Sequence, residues 1–154
     1  MKIRSIAKAD IPQVVELGER EFKSVFPHRT DFYHEYCRDY CLHSINHPEM
    51  IIFVALDEQE NPVGYLAGGC DRLYLGREIE AVVHHWYVAP EHQGGQSSTG
   101  KHLLDAFENW AKTFKGASRV VVGITQQKGS ERYLNRIFNR MGYDLGIVHY
   151  IKEV

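Results

Sequence analysis

The chain has 154 residues, of which 44% are hydrophobic and 25% charged, and its formal net charge is −2. That length suits one globular domain with its own core, residues 1–154, needing neither disulfide nor metal to hold it. No apolar run long enough to span a membrane occurs and no basic block, so membranes and nucleic acid are disfavoured as partners.

In chain order, strands are expected near 2–6, 50–56, 63–72, 79–88, 118–125 and 143–152. Helices are expected near 10–24, 30–46, 100–115 and 129–141. The opening MKIRSIAKAD is too polar for a signal peptide, and Asp10 reads as an N-cap with Pro12 in the first turn. The segment from Phe26 to His47 is rich in aromatic and His residues: Phe26, His28, Tyr33, Tyr36, Tyr40, His43 and His47 among them. His43 and His47 are i,i+4, with Cys37 and Cys41 nearby, but tight Cys pairs are absent and no metal site is assigned. Cys37, Cys41 and Cys70 are an odd number without disulfide-scaffold spacing, so reduced thiols and a cytoplasmic location are expected.

Met50 to Leu56 and Val63 to Cys70 flank the polar turn Asp57 to Pro62, which reads as a hairpin. The strand that follows alternates, which places Glu80, Val82, His84, Trp86 and Val88 on one face and His85 on the other. A strand–helix–strand crossover makes the strands on either side of the 100–115 helix parallel. The expected fold is α+β, with a mixed, mostly antiparallel central sheet flanked by helices.

The stretch from Trp86 to Lys112 carries the chemistry. A short aromatic strand stops at Pro90, and a loop of Gly, Ser and Gln follows. An amphipathic helix comes next, with Leu103, Leu104, Phe107, Trp110 and Ala111 on one face. A small-residue loop feeding a helix N-terminus is a site for phosphate, because free N–H groups and the positive end of the helix dipole converge there. Two readings compete. Gly95, Gly100 and Lys101 spell the GxxxxGK of a P-loop, but His102 stands where Mg²⁺ binding needs Ser or Thr, and the strand after the helix ends in Thr125 rather than an acid. The other reading is a cradle for the pyrophosphate of coenzyme A.

Val88, Pro90, Gln93, Gly94, Gly100, Leu103 and Leu104 resemble the signature of the GNAT acetyltransferase superfamily. The opening strand and helix, and the corner Arg140 to Tyr143, follow the family's order. From Gln93 to the leucine pair this chain is two residues longer than the common form, so the middle glycine falls on Gly95 or Ser98. The resemblance implies acetyl-CoA as co-substrate without metal. Gln93, Gly94, Gly95, Gln96, Ser97, Ser98, Thr99, Gly100 and Lys101 would hold the pyrophosphate, and Trp86, Tyr87 and Val88 the pantetheine arm, which enters between splayed parallel strands.

Transfer to an amine needs a proton acceptor. The family's base lies four or six residues before the final Val, which selects His84, with Glu80 as second candidate; the alternative is an inert, hydrogen-bonded strand histidine. The family's acid, a Tyr four residues before the final Gly, is here Phe138. Either the thiolate leaves without a side-chain acid, or Tyr133 on the same helix, or Tyr143, supplies the hydroxyl. By the same resemblance the first two helices wall the acceptor cleft, which nominates Phe26, His28 and Tyr33. The implied activity is acetyl transfer to a small-molecule or peptide primary amine by direct attack in a ternary complex, with homodimerisation plausible for the family. A coenzyme A-binding regulatory module without turnover is the alternative that Phe138 keeps open, and a P-loop kinase is a distant third.

Overall fold

The structure, a computed structural model, describes residues 1–72, 76–93, 99–113, 116–123 and 131–146, with side chains 131–134 excepted. It divides into two compact units, Met1–Gly123 and Ile124–Val154. The first holds strands β1 (Lys2–Ser5), β2 (Met50–Leu56), β3 (Pro62–Arg72), β4 (Ile79–Val88) and β5 (Arg119–Val122). Its helices are α1 (Ile11–Val25), α2 (His34–Asn46) and α3 (Thr99–Thr113). The strands lie side by side in chain order, antiparallel from β1 to β4 and parallel between β4 and β5. The α3 crossover dictates that one parallel pair, as expected.

Apolar residues on the two sheet faces bury two sets of helices. Val14 and Leu17 of α1 and Cys41 of α2 cluster with Ile52, Val54, Tyr65 and Ala67. On the other face α3 buries Leu103, Leu104, Phe107 and Ala111, the stripe its 3.6-residue period prescribes. The hairpin turn closes as expected: the Asp57 carboxylate accepts from the N–H groups of Gln59 (2.9 Å) and Asn61 (2.8 Å), and Glu60 takes the positive φ the turn requires.

Asp10 stands at the N-cap position of α1, with Pro12 in the first turn as expected, but its side chain makes no cap hydrogen bond to the helix. Its carboxylate reaches back to the Ala7 N–H (2.7 Å) and pairs with both Arg4 guanidinium nitrogens at 2.6 and 2.9 Å. A 3-10 turn at Lys8–Asp10 runs straight into the helix and turns that side chain backwards. The second helix starts at His34 rather than near residue 30. Pro27 disfavours helical geometry at Phe26, and the Arg29 N–H bonds the Phe26 carbonyl in a turn. Of the strand expected at 143–152, residues 143–146 are irregular and the rest lies outside the described residues. Among the described residues, no helix is long and apolar enough to cross a membrane.

The second unit contains α4 (Glu131–Arg140). Just past its end stands Gly142, whose φ of +85° is the left-handed stop a helix C-terminus favours. The Tyr143 N–H bonds back to the Phe138 carbonyl (3.0 Å), and the two rings meet edge to face at 5.5 Å.

Candidate active site

β4 is bulged at its centre. Ala67 of β3 pairs with His85 and Gly68 with Val83, so His84 is the extra residue and has no partner in the β3–β4 register. Glycine is required opposite the bulge: a Cβ on Gly68 would stand 2.4 Å from the Val82 carbonyl oxygen and 2.7 Å from the Phe107 ring.

The extra residue resets the alternation of side chains. His84 reaches Tyr40 of α2, and His85 reaches Glu21 of α1, so both histidines face the α1–α2 side. Trp86 faces α3, where its indole would meet a Cβ on Gly100 at 3.2 Å. The expectation that His84, Trp86 and Val88 share a face, with His85 opposite, is thereby corrected; strict alternation holds only in an unbulged strand.

Around the paired histidines the structure gathers polar side chains from three other elements, α1, α2 and β3. The Tyr40 hydroxyl lies 2.9 Å from His84 Nδ1, and its ring meets those of His84 and His85 edge-on at 6.5 and 6.2 Å. His85 Nδ1 is 3.7 Å from the Glu21 carboxylate, which also accepts the Tyr65 hydroxyl. Gly18 lets α1 approach this cluster closely, since a Cβ there would stand 3.3 Å from Cys37 Sγ and 3.6 Å from the Tyr65 hydroxyl.

The two rings are driven apart electrostatically. Burial and the neighbouring His85 hold the His84 imidazole below the ordinary range, whereas hydrogen bonding to Glu21 raises His85. Burial pushes the Tyr40 phenol up to about 12, and raises Tyr65 as well. A neutral imidazole beside a more easily protonated one is suited to accepting a proton at neutral pH.

Other nominated residues are placed as follows. The Glu80 carboxylate is bound by Arg119 of β5 at 2.7 Å, away from the histidine pair's partners. Phe26 packs on Phe22 under the Arg29 guanidinium, His28 is exposed beyond the end of α1, and Tyr33 stacks on Tyr36. The side chains that α1 and α2 send to the histidines are instead Glu21 and Tyr40. Tyr40 adjoins the buried stripe Cys41 and Ser44, and that helical phase was the available signal. The Tyr133 side chain lies outside the described residues. Among the described residues no group of three His, Cys, Asp or Glu is arranged to hold a metal.

Towards the helix N-terminus, β5 pairs with β4 from Glu80 to Val83. From His85 to Val88, β4 pairs with β3 on one edge, and among the described residues no strand covers the other. Gln93 Nε2 donates to the Val88 carbonyl (2.5 Å), tying it to the strand end, and Thr99 Oγ1 donates to the His92 carbonyl (3.2 Å) in the 3-10 turn that follows the strand. Lys101 pairs with Asp105 at 2.7 Å. Gly94, Gly95, Gln96, Ser97 and Ser98 lie outside the described residues. A 15-residue helix opening at Thr99 and Gly100, beside a strand edge that no described strand covers, fits a long anionic cofactor with a peptide-like arm.

The sequence profile of the acetyltransferase (GNAT) family matches residues 11–143. No curated protein matches the chain. Among solved structures, an aminoglycoside acetyltransferase, meta-AAC0020, from an uncultured soil metagenomic sample and in complex with sisomicin is 25% identical, with a TM-score of 0.68 over 99% of this chain and 95% of that one. AAC(6')-Iy in complex with the bisubstrate analogue CoA-S-monomethyl-acetylneamine is 14% identical, with a TM-score of 0.73 over 99% and 98%. A ribosomal-protein-alanine N-acetyltransferase from Brucella melitensis biovar Abortus 2308 is 15% identical, with a TM-score of 0.69 over all of both chains. The likenesses establish the fold, and the profile spans most of the sequence: the chain belongs to the acetyltransferase (GNAT) family and is an N-acetyltransferase.

Proposed function

We propose that the chain moves the acetyl group of acetyl-CoA to a primary amine by direct attack in a ternary complex, with His84 taking the amine's proton. The observation that carries this reading is His84 itself. It is a bulge residue where β4 reaches an edge that no described strand covers, its imidazole held below the ordinary range and so unprotonated at neutral pH. Acetyl-CoA supplies the activated thioester carbonyl. The backbone of Trp86, Tyr87 and Val88 holds its arm along the strand edge. The loop from Gln93 to Lys101 and the first turn of α3 hold its pyrophosphate.

The acceptor is a small-molecule or peptide amine. The sisomicin and neamine-derived ligands of two structural neighbours make aminoglycosides the first acceptors to try. We place the protein in the cytoplasm; a homodimer is the assembly the family resemblance suggests, and sedimentation of the purified chain tests that assembly. The catalytic reading is tested by thiol release from acetyl-CoA against a panel of amines. Amine-dependent release is expected. Acetyl-CoA binding without release for any amine would favour the regulatory module that lacks turnover.

A further inference from the structure

We propose that Tyr40 is the positioning residue of His84: its hydroxyl oxygen accepts the Nδ1–H of the ring and leaves Nε2 as the atom that takes the amine's proton. The inference rests on the reading of His84 as the base. It starts from one distance, 2.9 Å between the Tyr40 hydroxyl and His84 Nδ1. A neutral imidazole carries one proton, on either nitrogen, and its basic site is the other nitrogen. If Tyr40 donated to Nδ1, the basic nitrogen would be occupied by the hydroxyl and Nε2 would carry the N–H. With Nδ1–H donating to Tyr40, the lone pair on Nε2 is available.

The same hydrogen bond survives the reaction. When Nε2 takes a proton the ring becomes an imidazolium in which both nitrogens donate, and Nδ1–H keeps its acceptor. No rotation of the ring is needed, and the acceptor oxygen stabilises the cation as it forms. Tyr40 keeps its own proton throughout, since burial holds its phenol far above neutrality.

The position of Tyr40 is itself secured. It packs against the core cluster, next to buried Cys41 and one turn before buried Ser44, with its ring edge-on to both histidines. The other titratable groups around the pair are Glu21 from α1, Tyr36, Cys37 and Cys41 from α2, Tyr65 and Asp71 from β3, and His85 on β4 itself. Glu21 and Tyr65 engage each other and His85, which leaves Tyr40 as the side chain hydrogen-bonded to His84 among the described contacts.

The test is nitrogen–proton correlation NMR of the histidine rings in the full chain, wild type and Tyr40→Phe, with turnover measured alongside using sisomicin as the acceptor. Tyr40→Phe keeps the ring and removes only the hydroxyl. In the wild type, neutral His84 should carry its proton on Nδ1. In Tyr40→Phe the proton should move largely to Nε2, and kcat should fall about tenfold, a modest part of what general-base catalysis contributes. The acidic limb of the kcat profile should shift to lower pH, because the imidazolium loses an acceptor, while the acetyl-CoA KM stays unchanged. A role in packing alone would move neither the ring tautomer nor the pH profile. An Nε2–H tautomer in the wild type, or an identical tautomer and profile in Tyr40→Phe, overturns the proposal. His84→Ala separates the two layers. Wild-type turnover in that variant removes His84 as base, whereas its inactivity beside an unaltered Tyr40→Phe removes only the role of Tyr40.

Discussion

Trp86 on β4 lies against Gly100 in the first turn of α3, so closely that a Cβ on Gly100 would sit 3.2 Å from the indole. The contact joins the strand edge proposed for the cofactor's arm to the helix end proposed for its pyrophosphate. Gly100→Asp adds bulk against the indole and a negative charge where an anion is to bind. Acetyl-CoA affinity should fall at least tenfold, about 1.4 kcal/mol, with Gly100→Ala intermediate. Isothermal titration of both variants checks this, and an unchanged binding curve for Gly100→Asp would remove the anion site from that helix end.

Gly68 opposes the bulge and admits no side chain. A methyl group there meets the Val82 carbonyl at 2.4 Å and Phe107 at 2.7 Å, and Phe107 is itself fully buried. Neither the backbone nor the packed ring gives way easily. Gly68→Ala should cost about 3 kcal/mol or more, the upper part of the range for overpacked cores. Urea denaturation measures it, and a loss below 1 kcal/mol would mean the bulge is not held as described.

Glu21 raises the pKa of His85, so the protonated ring is favoured in the folded state. Stability from that interaction is fully present below the unfolded value of about 6.5 and is lost as pH rises through the higher folded value. The side chain of His85 is 56% exposed, which limits the effect to about 0.5 kcal/mol. Glu21→Gln should therefore narrow its stability deficit relative to the wild type as pH rises from 5.5 to about 8. A deficit independent of pH would show that the histidine and the carboxylate are not coupled.

Asp10 is buried, and the hydrogen bond from Arg4 leads the interactions that hold its carboxyl below the usual range. A lowered folded pKa contributes stability above the unfolded value of about 3.8, lost as pH falls through the folded value. Asp10→Asn should destabilise by about 2 kcal/mol at neutral pH, because Arg4 and the Ala7 N–H lose a charged acceptor. Acid unfolding of the wild type against the variant shows the same difference closing at low pH.

Much of this arrangement can be read in the amino-acid order, where local rules govern. The period of α3 selects Leu103, Leu104, Phe107 and Ala111 as its buried stripe, and Asp57 to Pro62 closes a turn by its own side chain. The orientation of His85 is not legible by alternation, because the bulge at His84 changes which residues share a face. Its trace in the sequence is the Gly68–Gly69 pair inside β3, since adjacent glycines in a strand mark close backbone approach. Glu21 and Tyr40 are illegible for a different reason. Their partners lie 64 and 44 residues further along the chain, and only tertiary packing of α1 and α2 on β4 brings them together.

The measurement that bears most directly on the central claim is titration of the purified chain with acetyl-CoA, with ATP–Mg²⁺ in parallel, followed by thiol release with sisomicin and other amines. Micromolar acetyl-CoA binding, no ATP binding and amine-dependent thiol release are predicted. Binding of ATP–Mg²⁺ alone, or acetyl-CoA turnover that no amine accelerates, would contradict an acetyl-CoA-dependent N-acetyltransferase.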